Sequence, residues 1–134
     1  MSVASLDHVN IRTTDVPTTI EFFRDVLGME TAAPPGSSGQ LKNWVLDAAG
    51  RPIVHIGGVD GRYPGDDVRP FSPQKGSGSV HHVALRCTDY SGMHARLKAR
   101  DLLMTENHIP QMRLRQLFVN DPNGVLLELN FFDS

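Results

Sequence analysis

Two histidines open two copies of one octapeptide: His8-Val-Asn-Ile-Arg-Thr-Thr-Asp15 and, 74 residues later, His82-Val-Ala-Leu-Arg-Cys-Thr-Asp89. A neutral imidazole ligates divalent metals and moves protons near neutral pH, so a histidine duplicated in place is a candidate for either task. The same offset carries Asp47-Ala-Ala-Gly50 onto Asp121-Pro-Asn-Gly124, and each tetrapeptide sits between apolar runs. The register therefore holds over most of each half, the mark of one supersecondary unit written twice. A pseudo-twofold arrangement of the copies would make His8 and His82 neighbours.

Further groups could join them. Glu128 lies in Val125-Leu-Leu-Glu-Leu-Asn-Phe-Phe132, where alternation puts Val125, Leu127, Leu129 and Phe131 on one face and Glu128 with Asn130 on the other. His55, in Ile-Val-His-Ile, occupies the corresponding strand of the first copy one residue out of strict register, and suits a ligand, a base or a buried strand position. Arg113, Arg115 and Gln116 border the last repeat, and Arg62, Tyr63 and Arg69 lie in the connection between copies. An arginine beside a cavity suits a substrate carboxylate or phosphate, so Arg62, Tyr63, Arg113, Arg115 and Gln116 are the substrate-binding candidates. His81 and His94 are expected to be structural, as is His108, which is read as lying in a loop.

Positioning these groups takes two βαβββ modules. Residues 5–13 read as a strand with Leu6, His8, Asn10 and Arg12 on one face and Val9 and Ile11 on the other. Asp15 caps a helix that Pro17 opens, whose stripe Ile20, Phe23, Val26 and Leu27 ends at Gly28. A loop at 34–39, strands at 41–47 and 52–57 and a tight turn at 48–50 complete module 1, about residues 3–57. Residues 58–78, rich in glycine, proline and charge, read as a linker or lid. Module 2, about 79–134, repeats the order with a strand at 79–87, a helix at about 89–100, a short strand near 102–106, and strands at 112–120 and 125–132. Each half is expected to be a curved sheet backed by one helix, and its other face carries the polar residues. The fold class is α+β: two tandem βαβββ modules forming a curved mixed sheet around a metal cavity, in a single domain spanning 1–134.

Composition narrows the function. A chain of 134 residues with 40% hydrophobic and 21% charged residues and a net charge of −2 is ordinary for a soluble domain. It offers no basic field for nucleic acid and no run of about 18 apolar residues for a membrane. With no signal-peptide pattern at its start, it reads as cytoplasmic. Cys87, the one cysteine, excludes an internal disulfide and a thiolate zinc cluster, and its parity with Val83 and Leu85 makes it a packing residue. No glycine-rich nucleotide loop occurs.

Leu6-Asp-His-Val-Asn-Ile11, His82-Val-Ala-Leu85 and the closing Phe118-Val-Asn-Asp-Pro-Asn-Gly-Val-Leu-Leu-Glu-Leu-Asn130, set in the duplicated βαβββ order, resemble the vicinal-oxygen-chelate superfamily of glyoxalase I, bleomycin- and fosfomycin-resistance proteins and extradiol dioxygenases. The resemblance implies that His8, His82 and Glu128 ligate one divalent metal ion (Fe2+, Mn2+, Zn2+, Ni2+ or Co2+). Two imidazoles and one carboxylate can fill one face of an octahedral ion and leave positions open for substrate. Family members often place a fourth ligand near His55, commonly Glu or Gln, so His55 is the catalytic candidate. The implied function is a metal-dependent enzyme acting on a small molecule chelated through adjacent oxygens, by lyase or isomerase chemistry or by ring-cleaving oxygenation. It also implies a homodimer. The alternative is a non-catalytic binding protein of the bleomycin-resistance type, against which the ligand triad counts.

Overall fold

The computed structural model describes residues 2–133. The chain divides into two compact units, the first ending at Pro73 and the second beginning at Gln74, and both carry the same α+β plan. In the first, β1 (Val9–Thr13) leads to α1 (Val16–Glu21), then to β2 (Glu30–Ala32), β3 (Trp44–Leu46) and β4 (Pro52–Gly58). In the second, β5 (Val83–Cys87) leads to α2 (Tyr90–Ala99), then to β6 (Met104–Ile109), β7 (Leu114–Asn120) and β8 (Leu126–Phe132). Each sheet is mixed and four-stranded, in the orders β1-β4-β3-β2 and β5-β8-β7-β6. The first and last strands of each copy pair in parallel and the others antiparallel. The duplicated plan expected from the sequence is thus present twice.

Asp15 caps α1 by accepting from the Thr18 backbone N–H at 3.1 Å and the Thr18 hydroxyl at 2.8 Å. These bonds hold its carboxyl below the usual aspartate range. The helix then widens into a π-helical turn over Phe22–Val26. That turn changes which side chains face inward: Phe22 joins the expected Ile20, Phe23, Val26 and Leu27 in the core, with Phe23 at 1% exposure. In the second unit Met93 and Leu97 of α2 are buried with Leu117, Leu127, Leu129 and Phe131, so the odd-numbered residues of β8 face the core and leave Glu128 and Asn130 on the other face.

The two hairpin turns show how closely the copies agree. Asp47 accepts from the N–H groups of Ala49 and Arg51, each at 2.9 Å. Asp121 does the same for Asn123 and Val125, also at 2.9 Å. Gly50 and Gly124 complete these turns at φ +80° and +83°, a left-handed conformation that costs glycine nothing.

Several boundaries differ from those read in the sequence. The strands expected at 5–13 and 79–87 begin only at Val9 and Val83, where pairing with Val54 and Leu127 starts, so His8 and His82 stand one residue ahead of their strands. The strand expected at 41–47 shrinks to Trp44–Leu46. His108, expected in a loop, lies in β6, paired with Arg115.

The segment from 58 onward is tied to the first unit by Arg12. Its guanidinium, in a side chain 11% exposed, grips both oxygens of Asp66 at 2.9 Å. It also donates to the carbonyls of Gly61 at 2.5 Å and Val59 at 3.3 Å. It lies 4.2 Å from the Tyr63 ring centre and 4.7 Å from that of Phe71. Planar, bidentate pairing of this kind is geometry that lysine or methionine cannot reproduce. We expect Arg12→Met to release this loop: limited proteolysis within residues 59–71 should accelerate about tenfold or more, while the rest of the unit stays resistant. Equal nicking rates in both proteins would show that the clamp does not hold the loop.

Candidate functional site

Each unit presents a short row of donors on the sheet face opposite its helix, and strand register builds both rows alike. In the second unit Phe118 pairs with Glu128, which pairs with Ala84, while His82 enters just ahead of β5. His82 Nε2 lies 3.7 Å from Glu128 Oε1, with the carboxylate side chain 16% exposed and the imidazole 38%. In the first unit Trp44 pairs with His55, which pairs with Asn10, and His8 enters just ahead of β1. His55 therefore holds the place in the first copy that Glu128 holds in the second.

The one-residue discrepancy between them has a local cause. Leu46 pairs with Pro52 but Val45 with Val54, so Ile53 is extra and bulges out. The corresponding pairs in the second unit, Asn120 with Leu126 and Val119 with Leu127, follow without a gap. A bulge that absorbs one residue restores the register beyond it.

The residue before each histidine fixes its ring. His8 donates from Nδ1 to Asp7 Oδ2 at 2.6 Å, which leaves its Nε2 as the free lone pair. His81 Nδ1 lies 2.9 Å from His82 Nδ1, which leaves His82 Nε2 toward Glu128. Occupying one ring nitrogen to aim the other is how outer partners orient histidine ligands. Asp7 and His81 match at the repeat offset, a signal present in the sequence but not drawn from it.

His55 is sandwiched. Its ring stacks on His8 at 3.7 Å and on Trp44 at 4.4 Å, each at 13°. Burial and then the neighbouring His8 push its pKa below the usual histidine value, so it is neutral at pH 7. Its Nε2 donates to the Pro52 carbonyl at 3.2 Å, leaving Nδ1 as the basic atom. Trp44 was not singled out in the sequence, because the stack depends on β3–β4 pairing.

Asn130, expected on the face of Glu128, bonds to it, and Asn107, which no sequence pattern marks, joins the same row. Asn107 Nδ2 donates to Gln116 Oε1 at 2.7 Å, Gln116 Nε2 to Asn130 Oδ1 at 3.0 Å, and Asn130 Nδ2 to Glu128 Oε2 at 2.9 Å. Gln116 is 7% exposed, so both its polar ends are committed within the protein.

Of the other substrate-binding candidates, two lie in each unit. Arg115 shares the helix side of its sheet with Leu117 and lies 3.6 Å from the Tyr90 ring centre. There it joins Tyr90, Glu106, Asn107 and His108 around an open hollow of about 200 Å³, away from Glu128. Arg113 stands at the turn before β7 with φ +53°. Tyr63 lies under Arg12, its hydroxyl against Gly57, and Arg62 is exposed beside it in the loop. Cys87 is half-buried, and burial pushes its thiol up to about 11. A thiolate-selective reagent at pH 8 should therefore modify native Cys87 at least about tenfold more slowly than the unfolded chain. Equal rates would mean that the thiol is open to solvent.

The second unit's pair stands near the spacing that a shared ion would need. Ligand atoms each about 2.1 Å from one ion lie ~3.0–3.4 Å apart at octahedral or tetrahedral angles, and His82 Nε2 and Glu128 Oε1, at 3.7 Å, would reach it by a small side-chain shift. Within neither unit do the described residues gather three His, Cys, Asp or Glu into a ready-made cluster.

Known proteins agree with this architecture. The family profile described as the Glyoxalase/Bleomycin resistance protein/Dioxygenase superfamily matches residues 5–129. No curated protein gives a significant sequence match. Among solved structures, a glyoxalase family protein from Bacillus anthracis aligns at a TM-score of 0.67 with 19% identity, covering 99% of this chain and 98% of its own. The fosfomycin resistance protein FosX from Listeria monocytogenes aligns at 0.64 with 18% identity, over 98% and 95%. Lactoylglutathione lyase from Agrobacterium tumefaciens aligns at 0.61 with 15% identity, over 98% and 96%. At these identities the likeness is one of fold. Among the described residues no helix is long and apolar enough to cross a membrane.

Proposed function

The chain belongs to the Glyoxalase/Bleomycin resistance protein/Dioxygenase superfamily, and on that footing we propose that it is a small divalent-metal-dependent enzyme acting on a substrate with two adjacent oxygens. The ligand candidates are those the resemblance implies, His8, His82 and Glu128, of which His82 and Glu128 are paired within the second unit. The bound ion is Fe2+, Mn2+, Zn2+, Ni2+ or Co2+, and the working form is a homodimer. When bound, the ion supplies Lewis-acid stabilisation of negative charge on substrate oxygen. The observation that carries the reading is the His82–Glu128 pair, its imidazole aimed by His81 and its carboxylate held by Asn130.

The chain's own residues account for the rest. His81 keeps His82 Nε2 directed at the carboxylate partner, and Asp7 keeps His8 Nε2 unprotonated in the neutral ring. His55, neutral at pH 7 with Nε2–H engaged by Pro52, offers Nδ1 as proton acceptor. Its stack between Trp44 and His8 fixes the ring plane and so the direction of that lone pair. If His55 is the base, His55→Ala keeps metal content while turnover falls; as a ligand, both fall together.

The test is metal content. Protein stripped with chelator, reconstituted at micromolar ion and desalted should retain about one equivalent per chain, and the ion retained on purification points to the chemistry. Iron favours ring-cleaving oxygenation; nickel, zinc, cobalt or manganese favours lyase or isomerase reactions. Protein that retains no ion after reconstitution overturns the reading and favours a non-catalytic binder.

A further inference from the structure

Resting on the proposal that Glu128 is a metal ligand, we infer that Asn107, Gln116 and Asn130 form a directional amide relay whose task is to present Glu128 to the ion through one oxygen. The three residues form a single cross-strand row: Asn107 pairs with Gln116 across β6 and β7, and Gln116 with Asn130 across β7 and β8. Every bond in the row runs the same way, each amide nitrogen donating to the next acceptor, and the last donor ends on Glu128 Oε2. Oε1 is left facing His82 at 3.7 Å.

An amide has one donating and one accepting end, so the orientation of each member is coupled to the next. Gln116 is the pivot. Buried to 7% exposure, it cannot exchange its partners for water without cost. With Gln116 Nε2 donating, Asn130 must turn its carbonyl toward β7 and its NH2 toward Glu128. Were the row reversed, Asn130 Oδ1 would face Glu128 Oε2, acceptor against acceptor, and the carboxylate would swing away. Asn107, Gln116 and Asn130 are thus positioning residues for Glu128.

The sign of one substitution separates this relay from plain electrostatics. Gln116→Glu is nearly isosteric and adds a negative charge, which by charge alone would strengthen cation binding. Its carboxylate cannot donate, so it draws the Asn130 NH2 toward itself and reverses the end of the row. The relay therefore requires weaker binding, by on the order of tenfold, the range in which losing an orienting partner costs a metal site. Gln116→Met, apolar and of similar length, removes both bonds without adding charge and should also weaken binding several-fold.

Zinc and cobalt affinities would be measured by competition with a chelator for the wild type, both Gln116 variants, Glu128→Gln and the double variant Gln116→Met/Glu128→Gln, with the melting temperature of each metal-free protein recorded. Weaker binding in both Gln116 variants supports the relay, provided the Gln116→Met change adds nothing once Glu128 is already Gln. Wild-type or tighter affinity in both Gln116 variants, or an undiminished Gln116→Met effect in the Glu128→Gln background, overturns it. If Gln116→Met melts too early to assay, Gln116→Glu decides alone by its sign. Glu128→Gln binding as tightly as wild type would instead remove Glu128 from the ligand set, a separate failure that belongs to the proposed function.

Discussion

Glu128→Gln should lower divalent-ion affinity by on the order of a hundredfold while leaving the fold intact. Disturbing the partner of a ligand costs up to about that much, and here the ligand itself is changed. The glutamine carbonyl can still accept from Asn130 Nδ2 in place of Oε2, so the side chain keeps its position. Its NH2 then points toward His82, setting a donor where a cation must sit. Glu128 lies on the sheet face opposite Leu127 and Leu129 and is not fully buried, so no core contact is lost. Calorimetric titration of the metal-free protein would read the affinity, and circular dichroism the fold. Unchanged affinity would mean that Glu128 is only an acceptor for Asn130.

Phe23→Ala should produce the largest loss of stability, about 3–5 kcal/mol, against a total of about 5–15 kcal/mol for a protein of ordinary stability. Phe23 is 1% exposed and meets Phe22 edge-on, with ring centres 5.4 Å apart at 89°. Truncation removes the transfer energy of a whole ring and leaves a cavity that the π-helical turn cannot readily close. Phe23→Leu, which keeps most of the volume, should cost markedly less. Urea denaturation of the three proteins checks both statements. A cost below about 1 kcal/mol for the alanine variant would place the ring outside the packed core.

Much of this was legible in the sequence for an identifiable reason. Alternation along β8 separated Glu128 from Leu127 and Leu129, and the 3.6-residue spacing of Ile20, Phe23 and Leu27 marked the helix face. Both patterns come from burial on one side only. Where burial gives no contrast, the sequence was silent. The strand β6 is an edge strand with Thr105, Glu106, Asn107 and His108 all exposed, so no hydrophobic period marks its extent: the strand expected near 102–106 runs on to Ile109, and His108 reads as loop. The alternation of Leu6, His8 and Asn10 suggested a longer β1 than exists, because a pattern cannot show where the partner strand's ladder stops.

Pairing across the chain was the other blind spot. The equivalence of His55 with Glu128 depends on the bulge at Ile53, which appears in the sequence only as a slipped count. The Arg12–Asp66 clamp joins residues that no local rule connects, and its repeat counterpart Arg86 lies over Phe132 instead, 4.2 Å from the ring centre. The family resemblance implies His8, His82 and Glu128 as candidate ligands; it says nothing of the amides behind Glu128, whose contacts follow from strand register.

Trp44, the one tryptophan of the chain, lies face to face with His55, and this makes the first unit its own optical sensor. An imidazolium ring held against an indole quenches its fluorescence far more strongly than a neutral imidazole does. Because burial pushes the pKa of His55 down, the drop in emission as the ring takes a proton should be centred below the ordinary histidine value. His55→Ala should abolish that drop. Any ligand that engages His55 at neutral pH would register in the same signal, so a single emission wavelength can screen candidate metals and small molecules before any reaction is known.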